Sequence, residues 1–189
     1  MRRVIASEYL TLDGVMEAPG SEDSLGDRGG WSFLYSSDEA AAFKFAEVMA
    51  SDALLLGRAT YDIFAASWPA RTGEFADRMN RLPKYVVSRT LETVAWENTH
   101  LIRDDVVETV SRLKEQHGQD ILLYGSADLV RALTQSGLID EYRFMIFPLI
   151  LGTGKRLFAD GSAVSLKLVE AKTLGSGVVI LTYQPERKA

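Results

Sequence analysis

Residues 4–12 (VIASEYLTL) partly alternate apolar and polar positions and stop at Asp13-Gly14, which predicts a strand closed by a turn. The spacing over Ser36–Ser51 predicts a helix, with Ala42, Phe43, Ala46 and Met49 as one apolar stripe and Ser36 with Glu39 at capping-box separation. Ala53–Leu56 is a short, wholly apolar run closed by Gly57, and a second helix fits from Arg58 to about Ala66. Tyr85–Val87 and Ile121–Tyr124 are further apolar runs, ending at Ser88-Arg89-Thr90 and Gly125-Ser126. Between them Asp104/Asp105 can cap a helix with Val106, Val107, Val110 and Leu113 on its face and Gly118 at C′. A helix with Leu129, Val130 and Leu133 inward ends at Gly137. Strands are expected over Glu141–Leu151, Leu166–Thr173 and Val178–Tyr183, the last two joined as a hairpin by Gly175-Ser176-Gly177. Short apolar strands alternating with helices imply a mainly parallel sheet buried on both faces, with antiparallel strands at one side: an α/β fold.

Composition narrows the class. A chain of 189 residues fits one domain, taken here as 1–189, and can hold a core without disulfides. With no cysteine, a disulfide framework and a cysteine-ligated metal site are both excluded, and a cytoplasmic protein is expected. Met1-Arg2-Arg3 is followed by only three apolar residues before Ser7-Glu8, too few for a signal peptide. A net charge of −5 disfavours nucleic acid and anionic membranes as partners. The Glu17–Ser37 stretch is rich in Gly, Ser and Asp, yet holds Trp31, Phe33, Leu34 and Tyr35, and reads as an ordered loop.

Ligands of open α/β sheets bind beyond the carboxyl ends of the strands. Three such ends carry Gly57-Arg58, Ser88-Arg89 and Gly125-Ser126, and two of them lead into helix N-termini suited to anions. Arg58 and Arg89 add charge suited to bidentate phosphate contact. Each end alone is an ordinary turn; together they suggest a ligand with more than one phosphate, such as a dinucleotide. No Rossmann glycine motif follows a strand, and Gly152-Thr153-Gly154-Lys155 is no P-loop, because Leu149 and Arg156 occupy its other defining positions. Neither His100 nor His117 sits in a metal-ligand pattern.

The stretches TLDGVME (11–17), DALLLGRATYDIF (52–64), KYVVSRTL (84–91), ILLYGSADLVRAL (121–133) and LIDEYRFMIFPLILGTGKRLF (138–158) resemble the dihydrofolate-reductase-like superfamily. Within it the chain is similar to the C-terminal reductase domain of the bifunctional riboflavin-biosynthesis deaminase–reductase. The resemblance implies a three-layer α/β/α fold with NADPH across the sheet. By position it places Gly57, Arg58 and Thr60 at the adenosine and pyrophosphate, and Ser88 and Arg89 at the 2′-phosphate. It places Gly125, Ser126 and Ala127 at a phosphate-binding helix start, and Val15 and Met16 in a mobile loop beside the nicotinamide. Ser126 departs from the second glycine usual in dihydrofolate reductases.

On the substrate side, Glu39 aligns with the pocket carboxylate of dihydrofolate reductases, against its other reading as a helix cap. Asp13 is either a polar group near the bound ring or the first residue of a turn, and Trp31 either walls the pocket or fills the loop's own core. The expected activity is an NADPH-dependent reductase resembling the 5-amino-6-(5-phosphoribosylamino)uracil reductase type, with Glu39, Asp13 or water as the proton source. The other reading is a non-catalytic nucleotide-binding dimer on the same fold. The branch implies a homodimer through the strand-rich C-terminal third, although Tyr142, Phe144, Ile146 and Phe147 would equally fill an ordinary core. Lacking cysteine, the chain carries no zinc-deaminase motif.

Overall fold

The computed structural model describes residues 1–20, 23–158 and 163–186. Eight strands form one sheet: β1 (Val4–Thr11), β2 (Ser51–Gly57), β3 (Lys84–Val87), β4 (Thr99–Ile102), β5 (Asp120–Tyr124), β6 (Glu141–Phe147), β7 (Leu166–Thr173) and β8 (Val179–Pro185). Their spatial order is β4-β3-β2-β5-β1-β6-β8-β7. All pairings from β4 to β6 are parallel, and only β6–β8 and β8–β7 are antiparallel. The carboxyl ends of β1, β2, β3, β5 and β6 therefore meet along one edge.

Three layers follow from which faces are apolar. Helices α1 (Asp38–Met49), α2 (Arg58–Ser67) and α3 (Glu74–Arg81) contribute Val48, Tyr61 and Met79 to a core with Ile5, Leu54, Leu56 and Leu122. On the other face α4 (Val106–Glu115) and α5 (Ala127–Gln135) contribute Val110, Leu113, Val130 and Leu133 to a core with Val4, Ala6, Leu55 and Leu123. Consecutive residues of β2 and β5 thus point into different cores, which is why those strands read as unbroken apolar runs. Among the described residues no helix is long and apolar enough to cross a membrane.

Several expected details change. The first helix is capped by Ser37, whose hydroxyl accepts from the Ala40 amide at 3.2 Å, so Ser36 and Glu39 form no capping box. Its buried face is also different: Glu47 and Val48 are buried while Ala42 and Ala46 are exposed. Asp105 stands at the N-cap of α4 in the left-handed region with no side-chain cap bond, and Val107 on that helix faces solvent. Gly118 lies beyond the C-cap at Gln116, where a Cβ would come within 2.3 Å of an Asp52 oxygen that accepts the Gln119 amide. Strand β6 ends at Phe147, since Pro148 has no amide for a ladder bond. Helix α3 and strand β4 were not anticipated. The Gly175–Gly177 turn and the inward Leu129, Val130 and Leu133 stand as expected.

Candidate functional site

The ends of β2 and β5 are locked together by one hydroxyl. Ser126 Oγ accepts from the Gly57 amide at 2.8 Å and lies 2.9 Å from Thr60 Oγ1 at the start of α2. A Cβ at Gly57 would stand 2.4 Å from that hydroxyl, and one at Gly125 would stand 2.5 Å from Thr60 Oγ1. Both positions therefore need glycine, and Gly125 also has φ +62°. Ser126 shares the left-handed region at φ 66°, a strained choice for a residue with a side chain. This pair of turns delivers the chain to α5, where helix geometry leaves the first amides, Ala127 among them, without intrahelical partners.

The two arginines flank this spot on exposed ground. Arg58 donates to Asp62 at 2.8 Å and to Thr90 Oγ1 at 3.1 Å, tying the start of α2 to the loop after β3. Ser88 is buried, and its hydroxyl accepts from the Thr90 and Leu91 amides, shaping that loop. Arg89 is exposed and has no partner among the described residues.

Val15 and Met16 lie in a loop pinned to the chain after β6. The Met16 amide donates to Lys155 O and the Leu157 amide to Gly14 O, while Val15 is fully buried. Gly154, at φ +104°, lets the backbone pass where a Cβ would stand 2.8 Å from Val15 Cγ1. Asp13 closes the same junction: its carboxylate accepts from Thr11 Oγ1 at 2.6 Å, Gly152 N at 2.9 Å and Leu151 N at 3.2 Å. The Thr11 hydroxyl and those amides hold it down to a pKa of about 2, so it stays ionised. Glu39 is exposed and accepts from the Gly175 amide at 2.8 Å, joining the start of α1 to the β7–β8 turn. Trp31 is buried edge-on against Phe147 (centroids 5.1 Å) and donates to Glu17 O, so it fills the core beneath its own loop.

Beside this edge, between the loop before α1 and the ends of β1 and β6, lies a cavity of about 590 Å³. Aromatic groups dominate its walls, among them Tyr9, Phe33, Tyr35, Phe45, Phe75 and Phe147. Neither Glu39 nor Asp13 lines it. Among the described residues its single charged lining residue is Lys44, which the sequence reading does not single out. Behind Lys44, Glu47 is buried and gathers Ser7 (2.9 Å), Lys44 (3.0 Å), Tyr124 (3.4 Å) and Arg143 (3.4 Å). Burial, with the Glu47 carboxylate beside it, raises the Tyr124 hydroxyl pKa well above its ordinary value. On the opposite face of β1, Glu8 is buried. One oxygen accepts from the Gly125 amide at 3.0 Å and the other has no partner among the described residues. Burial pushes its pKa up to about 8 against the pull of Lys44 and the Gly125 amide. Neither charged group has a spacing motif to announce it; the one available signal was a glutamate inside an apolar strand.

Comparison with known proteins agrees with this architecture. The family model described as the RibD C-terminal domain matches residues 2–180. The uncharacterized protein YyaP of Bacillus subtilis (strain 168) is 32% identical over 188 residues, covering 96% of this chain and 94% of that protein. A Shewanella sp. PV-4 protein ascribed to riboflavin biosynthesis superposes with a TM-score of 0.75 at 21% identity, covering 98% of this chain and 99% of that one. Dihydrofolate reductase from Enterococcus faecalis, solved with NADP(H) and RAB-propyl, gives a TM-score of 0.64 at 14% identity over 98% of this chain and 97% of that one.

Proposed function

Because the chain belongs to the RibD C-terminal domain family, a reductase-type family, we propose that it is an NADPH-dependent reductase acting on a small heterocyclic or ribosyl-type acceptor. On this reading Gly57, Arg58 and Thr60 hold the adenosine and pyrophosphate, and Gly125, Ser126 and Ala127 hold a phosphate at the start of α5. Arg89 takes the 2′-phosphate from the loop that Ser88 shapes. Val15 and Met16 border the nicotinamide. Bound NADPH supplies the hydride. The protein's part is to align donor and acceptor and to exclude water with the loop before α1. Glu39 is engaged at the β7–β8 turn and Asp13 is held ionised, so we assign both to shaping the site and leave water as the proton source. We also propose a homodimer in the cytoplasm.

The observation that carries the reading is the Ser126 junction. It brings two glycine turns and the free amides of α5 to one sheet edge, with Arg58 nearby, beside an apolar cavity of substrate size. Fluorescence titration of Arg89→Ala tests it. Loss of a charge-assisted phosphate contact should weaken NADPH binding roughly 10- to 100-fold and leave NADH within about twofold. Equal losses for both cofactors would sink the assignment. Among the described residues no carboxylate lines the cavity, which favours a second reading, a nucleotide-binding dimer without turnover. NADPH consumption with ring acceptors separates the two.

A further inference from the structure

The cavity beside the sheet edge is chemically one-sided. Its walls are aromatic rings and small residues, and among the described residues the single charge they offer is the Lys44 ammonium. That ammonium is held in place rather than swinging in solvent. Its side chain is 12% exposed, and it donates to Ser7 Oγ at 2.6 Å and Glu47 Oε2 at 3.0 Å. It also lies over the Tyr9 and Tyr124 rings, 4.9 and 4.7 Å from their centroids. Glu47 cannot serve a ligand as acceptor in its place. Its Oε2 already takes Ser7, Lys44 and Tyr124, and its Oε1 faces Arg143, itself paired to Glu141. A lysine ammonium has three donors, and two are used. The third has no acceptor among the described residues, although the side chain borders the cavity.

From this arrangement we infer that the cavity selects flat ring compounds by an acceptor oxygen, a ring carbonyl or carboxylate, placed against Lys44. Compounds presenting a donor-rich amidine edge are rejected. An amidine needs a carboxylate opposite it, and among the described residues none lines the cavity; a carbonyl or carboxylate completes the lysine's third bond while its ring lies among Tyr9, Phe45 and Phe147. Lys44 is then the specificity-determining residue for the acceptor. This deepens the reductase reading, on which the ligand's standing as a substrate rests, whereas the binding preference stands without it.

The test uses the full chain without nucleotide and two probes sharing one bicyclic body, 2-naphthoate and 2-naphthamidine, titrated calorimetrically. The expected result is at least about tenfold tighter binding of the naphthoate, a preference that disappears in Lys44→Met while NADPH affinity is unchanged. Lys44→Gln keeps a donor but no charge, and should bind the naphthoate several-fold more weakly than the wild type; this measurement decides the matter if the methionine variant does not fold. Equal or tighter binding of the naphthamidine, no binding of the naphthoate, a preference that survives in Lys44→Met, or a naphthoate affinity in Lys44→Gln equal to that of the wild type would overturn the inference. A chain that fails to bind NADPH yet shows the probe preference would refute the cofactor reading and leave this one intact.

Discussion

Glu8 shows how one buried carboxyl can set the pH response of the sheet edge. Its ordinary pKa of 4.5 rises to about 8 in the folded chain, because burial disfavours the charge more than Lys44 and the Gly125 amide favour it. The folded state therefore binds this proton more tightly than the unfolded state does. Its contribution to stability is full below about pH 4.5, and is lost as pH rises through the window up to about 8. The slope in that window reaches about 1.4 kcal/mol per pH unit at most. Glu8→Gln keeps an acceptor for the Gly125 amide and cannot ionise. Urea midpoints measured from pH 5 to 8 should fall with pH in the wild type and stay flatter in Glu8→Gln. Parallel profiles would show that Glu8 does not titrate in this range. The same residue explains a limit on legibility. A glutamate in VIASEYLTL looks like the solvent side of an alternating strand, and only the packing of a helical layer on each side of the sheet shows that both faces of β1 are covered.

At the scale of elements, α1 separates what a pattern can tell from what it cannot. The helix was legible, but its cap and its inward face were not. Ser36, Ser37 and Glu39 offer two registers for a cap, and the backbone takes the second, freeing Glu39 to hold the Gly175 amide. Replacing a cap that bonds a free amide costs about 1 kcal/mol. Ser37→Ala should therefore lower stability by about that much and Ser36→Ala by a few tenths at most, read from chemical denaturation. The reverse order would restore the capping box. Its inward face misled because apolar spacing pointed to Ala42 and Ala46, while the helix buries Glu47 and much of Lys44 to complete a polar cluster with β1, β5 and β6. Such a cluster is assembled from four segments far apart in sequence, so no local period encodes it. Gly57 and Gly125 were readable for the opposite reason: a strand end, a glycine and a helix start are all local. Helix α3 escaped because its sequence EFADRMNR is strongly polar and buries only Ala76 and Met79.

For the whole molecule, the antiparallel side of the sheet is finished differently from the rest. Where β5 and β1 are covered on both faces, β7 is exposed along nearly its whole length, with Leu168 and Val169 about half exposed. Paired residues lie on one face, so Tyr142, Tyr183 and Leu168 form one row and Phe144, Leu181 and Ala171 the next. Burial falls along both rows from β6 outward to β7. A register shift between Leu168 and Glu170, with Lys167, Glu170 and Lys172 beside it, guards the strand's open edge against further pairing. The apolar rows on the face remain, and a second copy related by a two-fold axis would cover them. Sedimentation equilibrium at about 10 μM should accordingly find a dimer, a concentration at which a modest apolar interface is already populated. Leu168→Lys, which places a charge in the outer row without touching either main core, should shift it to monomer with an unchanged far-UV spectrum. A wild type that sediments as a monomer, or a Leu168→Lys variant that remains a dimer, would remove the face from the assembly.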